Sequence, residues 1–89
     1  MVGSLTRNIM VGRRRTSIRL ETTFWLGLEE ILEREDITLR ALVTRIDAAQ
    51  RGGNNLSSAV RVFILSYFFE LTHRRAPHVP PGYEWTARR

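Results

Sequence analysis

The chain has no cysteine and no lysine among its 89 residues. Without cysteine there can be no disulfides and no thiolate metal sites, which excludes the small secreted scaffold held by covalent staples. All 14 basic residues are therefore arginine, a bias that a GC-rich genome explains more readily than a demand for guanidinium chemistry. Acids are missing from everything before Glu21. Long hydrophobic runs are missing too. The most apolar stretch, Ala59–Leu71, is interrupted by Arg61, Ser66 and Glu70 and is too short to span a bilayer. The opening MVGSLTRNIM lacks the apolar centre of a signal peptide. These absences lead to the expectation of a soluble, cytoplasmic protein with no membrane partner.

What remains is enough for one domain, with no room for a second core. An apolar fraction of 43% is ordinary for a folded chain and argues against global disorder. Net charge is +5 with a pI of about 11.2, and its distribution says more than its total. Arg7, Arg13, Arg14, Arg15 and Arg19 are the only charged side chains before Glu21, whereas Glu21–Asp36 holds six acids against Arg34 alone. A basic arm followed by an acidic helix suits a polyanion on one side only.

The stretch RRRTSIRLE alternates from Thr16 onwards, with Thr16, Ile18 and Leu20 on one side and Ser17, Arg19 and Glu21 on the other. Period two predicts a strand over residues 14–20 with one face buried. A lone strand ahead of helices needs a partner for its N–H and C=O groups, and a second copy of the chain is the simplest one. Residues 1–12 read as a flexible basic arm, in which Ile9-Met10-Val11 could extend the strand or pack elsewhere. Three helices are expected at about 22–36, 38–51 and 56–74. Thr22 or Thr23 is expected to cap the first, Thr38 the second and Asn55 the third, with Gly52 or Gly53 ending the second. Trp25 belongs to the apolar stripe of the first helix, which Leu26 escapes by pointing outward with the acids. Leu42 and Ile46 belong to the stripe of the second. The third carries Val60, Phe63 and Tyr67 on one side and Val62, Leu65 and Phe69 on the other, so a single copy is expected to leave it undercovered. Residues 76–89, with Pro77, Pro80, Pro81, Tyr83 and Trp85, read as an irregular tail.

A basic alternating strand followed by two helices across a tight capped turn resembles the ribbon-helix-helix superfamily of MetJ/Arc type, over about Arg13–Arg51. The segments RTSIRLE, Phe24-Trp25 and NNLSSAVRVFIL look like a bacterial subfamily with an appended third helix. The resemblance implies a mainly helical, intertwined homodimer with an intermolecular two-stranded antiparallel ribbon that enters the major groove of double-stranded DNA. It implies base contacts from Arg15, Ser17 and Arg19. The backbone amides of Thr38, Leu39 and Arg40 would clamp phosphate, helped by Arg13 and Arg14. Ile18, Leu20, Trp25, Leu42, Ile46, Val60, Phe63 and Tyr67 would form the dimer core. A transcriptional regulator, most simply a repressor, then follows, with higher oligomers allowed by the third helix and a nucleoid-associated location.

Each feature also has a plainer interpretation. The strand could be a solvated edge whose charges prevent aggregation, and Arg7, Arg13 and Arg14 a basic tail without a fixed partner. The third helix and tail could grip another protein, as an antitoxin or adaptor would. No catalytic constellation is present. Ser57-Ser58 has no His–Asp partners, Glu29, Glu30 and Glu33 form a solvated face, and Gly52-Gly53 lacks the residues of a phosphate loop. His73 and His78 are not spaced as a metal pair. No enzyme activity, metal or cofactor is expected.

Overall fold

Gly12 occupies the first position of a two-residue turn with φ of 61°, a backbone conformation that side chains with a Cβ resist and that tight hairpins require. The turn joins β1 (Ser4–Val11) to β2 (Arg14–Glu21) as an antiparallel hairpin. In the computed structural model the described residues are 3–50 and 55–73. The expected Gly52-Gly53 helix stop, His78 and the 76–89 tail lie outside them.

The two-stranded antiparallel ribbon expected from the sequence is present, but β2 takes its partner from its own chain. The register pairs Thr6 with Arg19, Asn8 with Ser17 and Met10 with Arg15. For residues 4–11 this corrects the reading of a flexible arm, and it supplies within one copy the strand that a twin was expected to provide. The physical reason is local. Leu5, Arg7, Ile9 and Val11 alternate with Ser4, Thr6, Asn8 and Met10, and Gly12 lets the chain reverse at once.

Helix α1 (Thr22–Glu35) follows β2 directly. Neither threonine caps it. Glu21 holds the N-cap position without a side-chain cap bond, because its carboxylate accepts from Arg61 Nε at 2.8 Å. The Thr22 hydroxyl instead donates to the Gly3 carbonyl at 3.1 Å. Asp36 ends α1 in the left-handed conformation, with φ of 53° and ψ of 52°. The Asp36 and Ile37 N–H groups return to the carbonyls of Glu33 and Leu32 at 3.4 and 3.1 Å, the paired bonds of a Schellman ending. Thr38 then opens α2 (Leu39–Ala49), its hydroxyl accepting from the Ala41 N–H at 3.1 Å. Asn55 caps α3 (Leu56–Thr72) through the Ser58 N–H at 2.9 Å.

α2 packs on β1, while α1 and α3 pack on β2 and on each other. All the side chains expected in a dimer core, namely Ile18, Leu20, Trp25, Leu42, Ile46, Val60, Phe63 and Tyr67, are buried inside a single copy. They join Ile9, Val11, Leu28, Ile31, Val43 and Ile64 in one cluster. The expectation that one chain cannot cover α3 is thereby corrected for its inner face, which β2, α1 and α2 enclose. Val62, Leu65 and Phe69 on the opposite face stay exposed.

Candidate nucleic-acid interface

The pleat of the hairpin sorts its side chains into two sets. Ile9, Val11, Ile18 and Leu20 go into the core. Ser4, Thr6, Asn8 and Met10 of β1 and Arg15, Ser17 and Arg19 of β2 are exposed and share the other face. All three residues expected to contact bases therefore lie on one continuous surface. β1 adds a second row that sequence reasoning missed. The signal for it was the alternation across Ser4–Val11 ending at a glycine.

This outer face is partly organised by its own bonds. The Ser17 hydroxyl donates to Asn8 Oδ1 at 2.7 Å, directly across the strands. Arg19 Nε donates to Ser4 Oγ at 3.0 Å, which steers the guanidinium along the ribbon. Arg15 is exposed and forms no ion pair or hydrogen bond among the described residues, and the same is true of Arg13 at the turn. The one acid at this end of the ribbon, Glu21, is neutralised by Arg61. That guanidinium donates to its carboxylate and holds the acid below its usual range, with the Glu21 backbone bond and the nearby Arg19 charge adding to the effect. The face therefore presents positive charge without an uncompensated carboxylate.

α3 also locks the outer edge of β2. The Arg19 N–H donates to Ser57 Oγ at 3.0 Å, and its carbonyl accepts from Arg61 Nη2 at 3.3 Å. An edge strand covered in this way is not available for pairing along that part of its length.

Arg14, an expected phosphate contact, and Arg7 are both engaged with the helices. Arg14 lies on the inner side of the hairpin, with Nη2 at 3.0 Å from Asp47 Oδ2, and ties β2 to α2. Arg7 stacks over the Trp25 ring at 4.4 Å from its centroid and pairs with Glu29 at 3.5 Å. Trp25 in turn donates its indole N–H to the Leu5 carbonyl at 2.9 Å. Both arginines hold the ribbon on the helices. A sequence pattern assigns strand face by alternation, but it cannot show that an acid on a later helix waits below.

The start of α2 lies against the turn end of the ribbon, where Arg40 Nη2 donates to the Gly12 carbonyl at 3.2 Å. The Leu39 and Arg40 amides precede the first intrahelical bond of α2, which Leu42 N–H makes to the Thr38 carbonyl at 3.0 Å. A helix start of this kind favours an anion through its free amides and its dipole. Arg13, Arg40 and the opening of α2 thus gather at one end of the polar face.

A two-stranded ribbon laid over helices, with a basic polar outer face, defines a DNA-binding architecture of the ribbon-helix-helix class. The ribbon-helix-helix domain family matches residues 4–68, and the chain belongs to it. The matched segment includes both strands and most of α3. Domains of this family generally bind DNA and regulate transcription, and they are typically non-enzymatic. Comparison with curated proteins and with solved structures returns no match. No described helix is long and apolar enough to cross a membrane.

Proposed function

We propose that this chain reads double-stranded DNA with the outer face of its β1–β2 ribbon set into the major groove, and that it acts as a transcriptional repressor by occluding a promoter. The observation carrying this reading is the continuous exposed row of Asn8, Arg15, Ser17 and Arg19 on two paired strands, backed by a closed core. The major groove, about 12 Å wide, admits a two-stranded ribbon, and its base edges carry a distinct donor–acceptor code.

Each side chain has a role set by its chemistry. Arg15 and Arg19 can donate bidentately to guanine O6 and N7. Asn8 can pair with adenine N6 and N7, and Ser17 positions it across the strands. Arg13, the Arg40 side chain and the Leu39 and Arg40 amides bind phosphates at the turn end, which fixes the register in which the bases are read. Arg14 and Arg7 act indirectly, by holding the ribbon in place.

Selection of bound sequences from a random DNA pool, followed by titration of the selected site against an unrelated one, tests the reading. Arg19→Ala is expected to lose about 1–3 kcal/mol of discrimination at one position. Arg40→Ala is expected to weaken both DNAs alike and to lower the salt slope of log K by about 1. Equal losses on both DNAs for Arg19→Ala would remove it from base readout. A salt-independent affinity would remove the phosphate contacts.

A further inference from the structure

We propose that the groove between α1 and α3 seats the chain's own C-terminal segment, residues 74–89, with Tyr83 and Trp85 against its apolar floor. The groove is about 470 Å³ and is lined by Phe24, Gly27, Ile64, Leu65 and Phe68 among others, together with the exposed Glu30. Gly27 keeps it deep, because a Cβ there would stand 3.4 Å from Ile64 and 3.5 Å from Phe68. Leu26 on α1 is 62% exposed, and on α3 Leu65 is 69% and Phe69 53% exposed. Bare apolar surface gathered in this way around a groove marks a contact site rather than a solvated face.

The place where the described residues end points to the occupant. The exposed stripe of α3 runs from Val62 through Leu65 to Phe69, whose ring stacks with His73 at 4.0 Å between centroids. The bare surface therefore leads from the groove to the point at which residues 74–89 begin. Trp85 stands twelve residues beyond His73, a reach of up to about 40 Å in extended chain. The way back along α3 from His73 to Leu65 is only about 12 Å. Large aromatic side chains bury about 150–250 Å² each, so Tyr83 and Trp85 together suffice to cover the bare leucines and Phe69.

Charge selects the same occupant. Glu30 and Glu33 follow Leu26 at helical spacing and are exposed, so carboxylates flank the apolar floor. Residues 74–89 carry Arg74, Arg75, Arg88 and Arg89 against Glu84 alone. A segment aromatic within and basic at both ends complements a groove with an apolar floor and an acidic side. The same acids disfavour nucleic acid and an anionic membrane as occupants. Tethering adds a further advantage, since a short connection holds the segment at an effective concentration of about millimolar, which a free partner must match. Seating the segment involves no DNA, so a failure of the DNA-binding reading leaves it standing.

Nuclear Overhauser contacts in the full chain without DNA are the test. Contacts from the Trp85 indole to the Leu65 and Ile64 methyl groups are expected, unchanged on dilution. Leu65→Glu is expected to abolish them, shifting the ratio of seated to free segment at least about tenfold because seating would bury an unpaired carboxylate. The circular dichroism spectrum should stay the same, since Leu65 is exposed in the fold. Leu65→Met keeps the volume and apolar character of the side chain and is expected to keep the contacts. Acrylamide quenching gives a second readout, with the Trp85→Phe chain supplying the background from the buried Trp25. The Trp85 signal should be shielded in the wild type and accessible in Leu65→Glu. A wild type without these contacts and with an accessible Trp85 overturns the proposal. So do contacts that vanish on dilution, which would place another copy's segment in the groove, or contacts that survive Leu65→Glu.

Discussion

Tyr67 is packed against Phe63 and Phe68, with ring centroids 6.1 and 5.4 Å away, and its hydroxyl donates to Glu35. Burial, followed by the hydrogen bond to the Glu35 carboxylate, pushes the phenol above its usual value of 10. A raised acid favours its neutral form in the fold. Its contribution is fully present below pH 10 and is lost as pH rises through the folded value. Urea unfolding between neutral and strongly alkaline pH should show this decline, and Tyr67→Phe should flatten it while costing about 1 kcal/mol at neutral pH. Glu21 has the opposite sign. The Arg61 guanidinium lowers it, so its contribution holds above about pH 4.5 and is lost as pH falls through the folded value. Arg61 also masks an acid beside the proposed DNA-facing row. Arg61→Ala should weaken DNA binding in a filter or anisotropy titration, and adding Glu21→Gln should recover much of it. No recovery would mean that Arg61 matters through its other contacts, the bond to the Arg19 carbonyl and the stack on Phe24.

Among the elements, the hairpin depends on Gly12. A side chain at φ of 61° is strained although nothing crowds the site. Gly12→Ala should therefore cost about 1–2 kcal/mol, read as a fall in the urea midpoint with unchanged slope. Asp36 at the end of α1 is the reverse case, a non-glycine residue with φ of 53°. Asp36→Gly should stabilise by about 0.5–1 kcal/mol, which a thermal melt would show as a higher midpoint. The helix starts at Thr38 and Asn55 were legible because a capping bond spans only three residues. Thr22 and Thr23 misled as caps because the strand runs straight into α1, and competition from Gly3 and Arg61 comes from far along the chain. β1 escaped notice because its inner row includes Arg7, whose charge breaks the apolar pattern. Trp25 and Glu29 accommodate it only once α1 is in place.

In the molecule as a whole, one core is closed by a single chain, with β1, β2 and all three helices contributing to it. An intertwined fold would lose its core on dissociation, so its midpoint of unfolding would fall on dilution. This chain, whose core is closed within one copy, should unfold at a midpoint independent of concentration over a hundredfold dilution. A strong dependence would return the core to an exchanged dimer. The charge layout also acts at this scale. The ribbon and its turn carry Arg13 and Arg15 without an ion pair among the described residues, and α1 carries exposed acids, so approach to a polyanion is oriented before contact.

By itself the sequence determined the polarity of β2, the three helices with the starts of the second and third, and the polar outer row of Arg15, Ser17 and Arg19. All of these follow from periodicities and capping bonds that operate within a few residues. Only the tertiary structure decided which strand pairs with β2, where Arg14 and Arg7 spend their charge, and that α3 buries one face inside its own copy while leaving the other bare. Alternation assigns a strand its faces but carries no information about the neighbour that satisfies its backbone. That neighbour is chosen by the turn and the core together, and Gly12 sets the eight-residue β1 of the same chain beside β2.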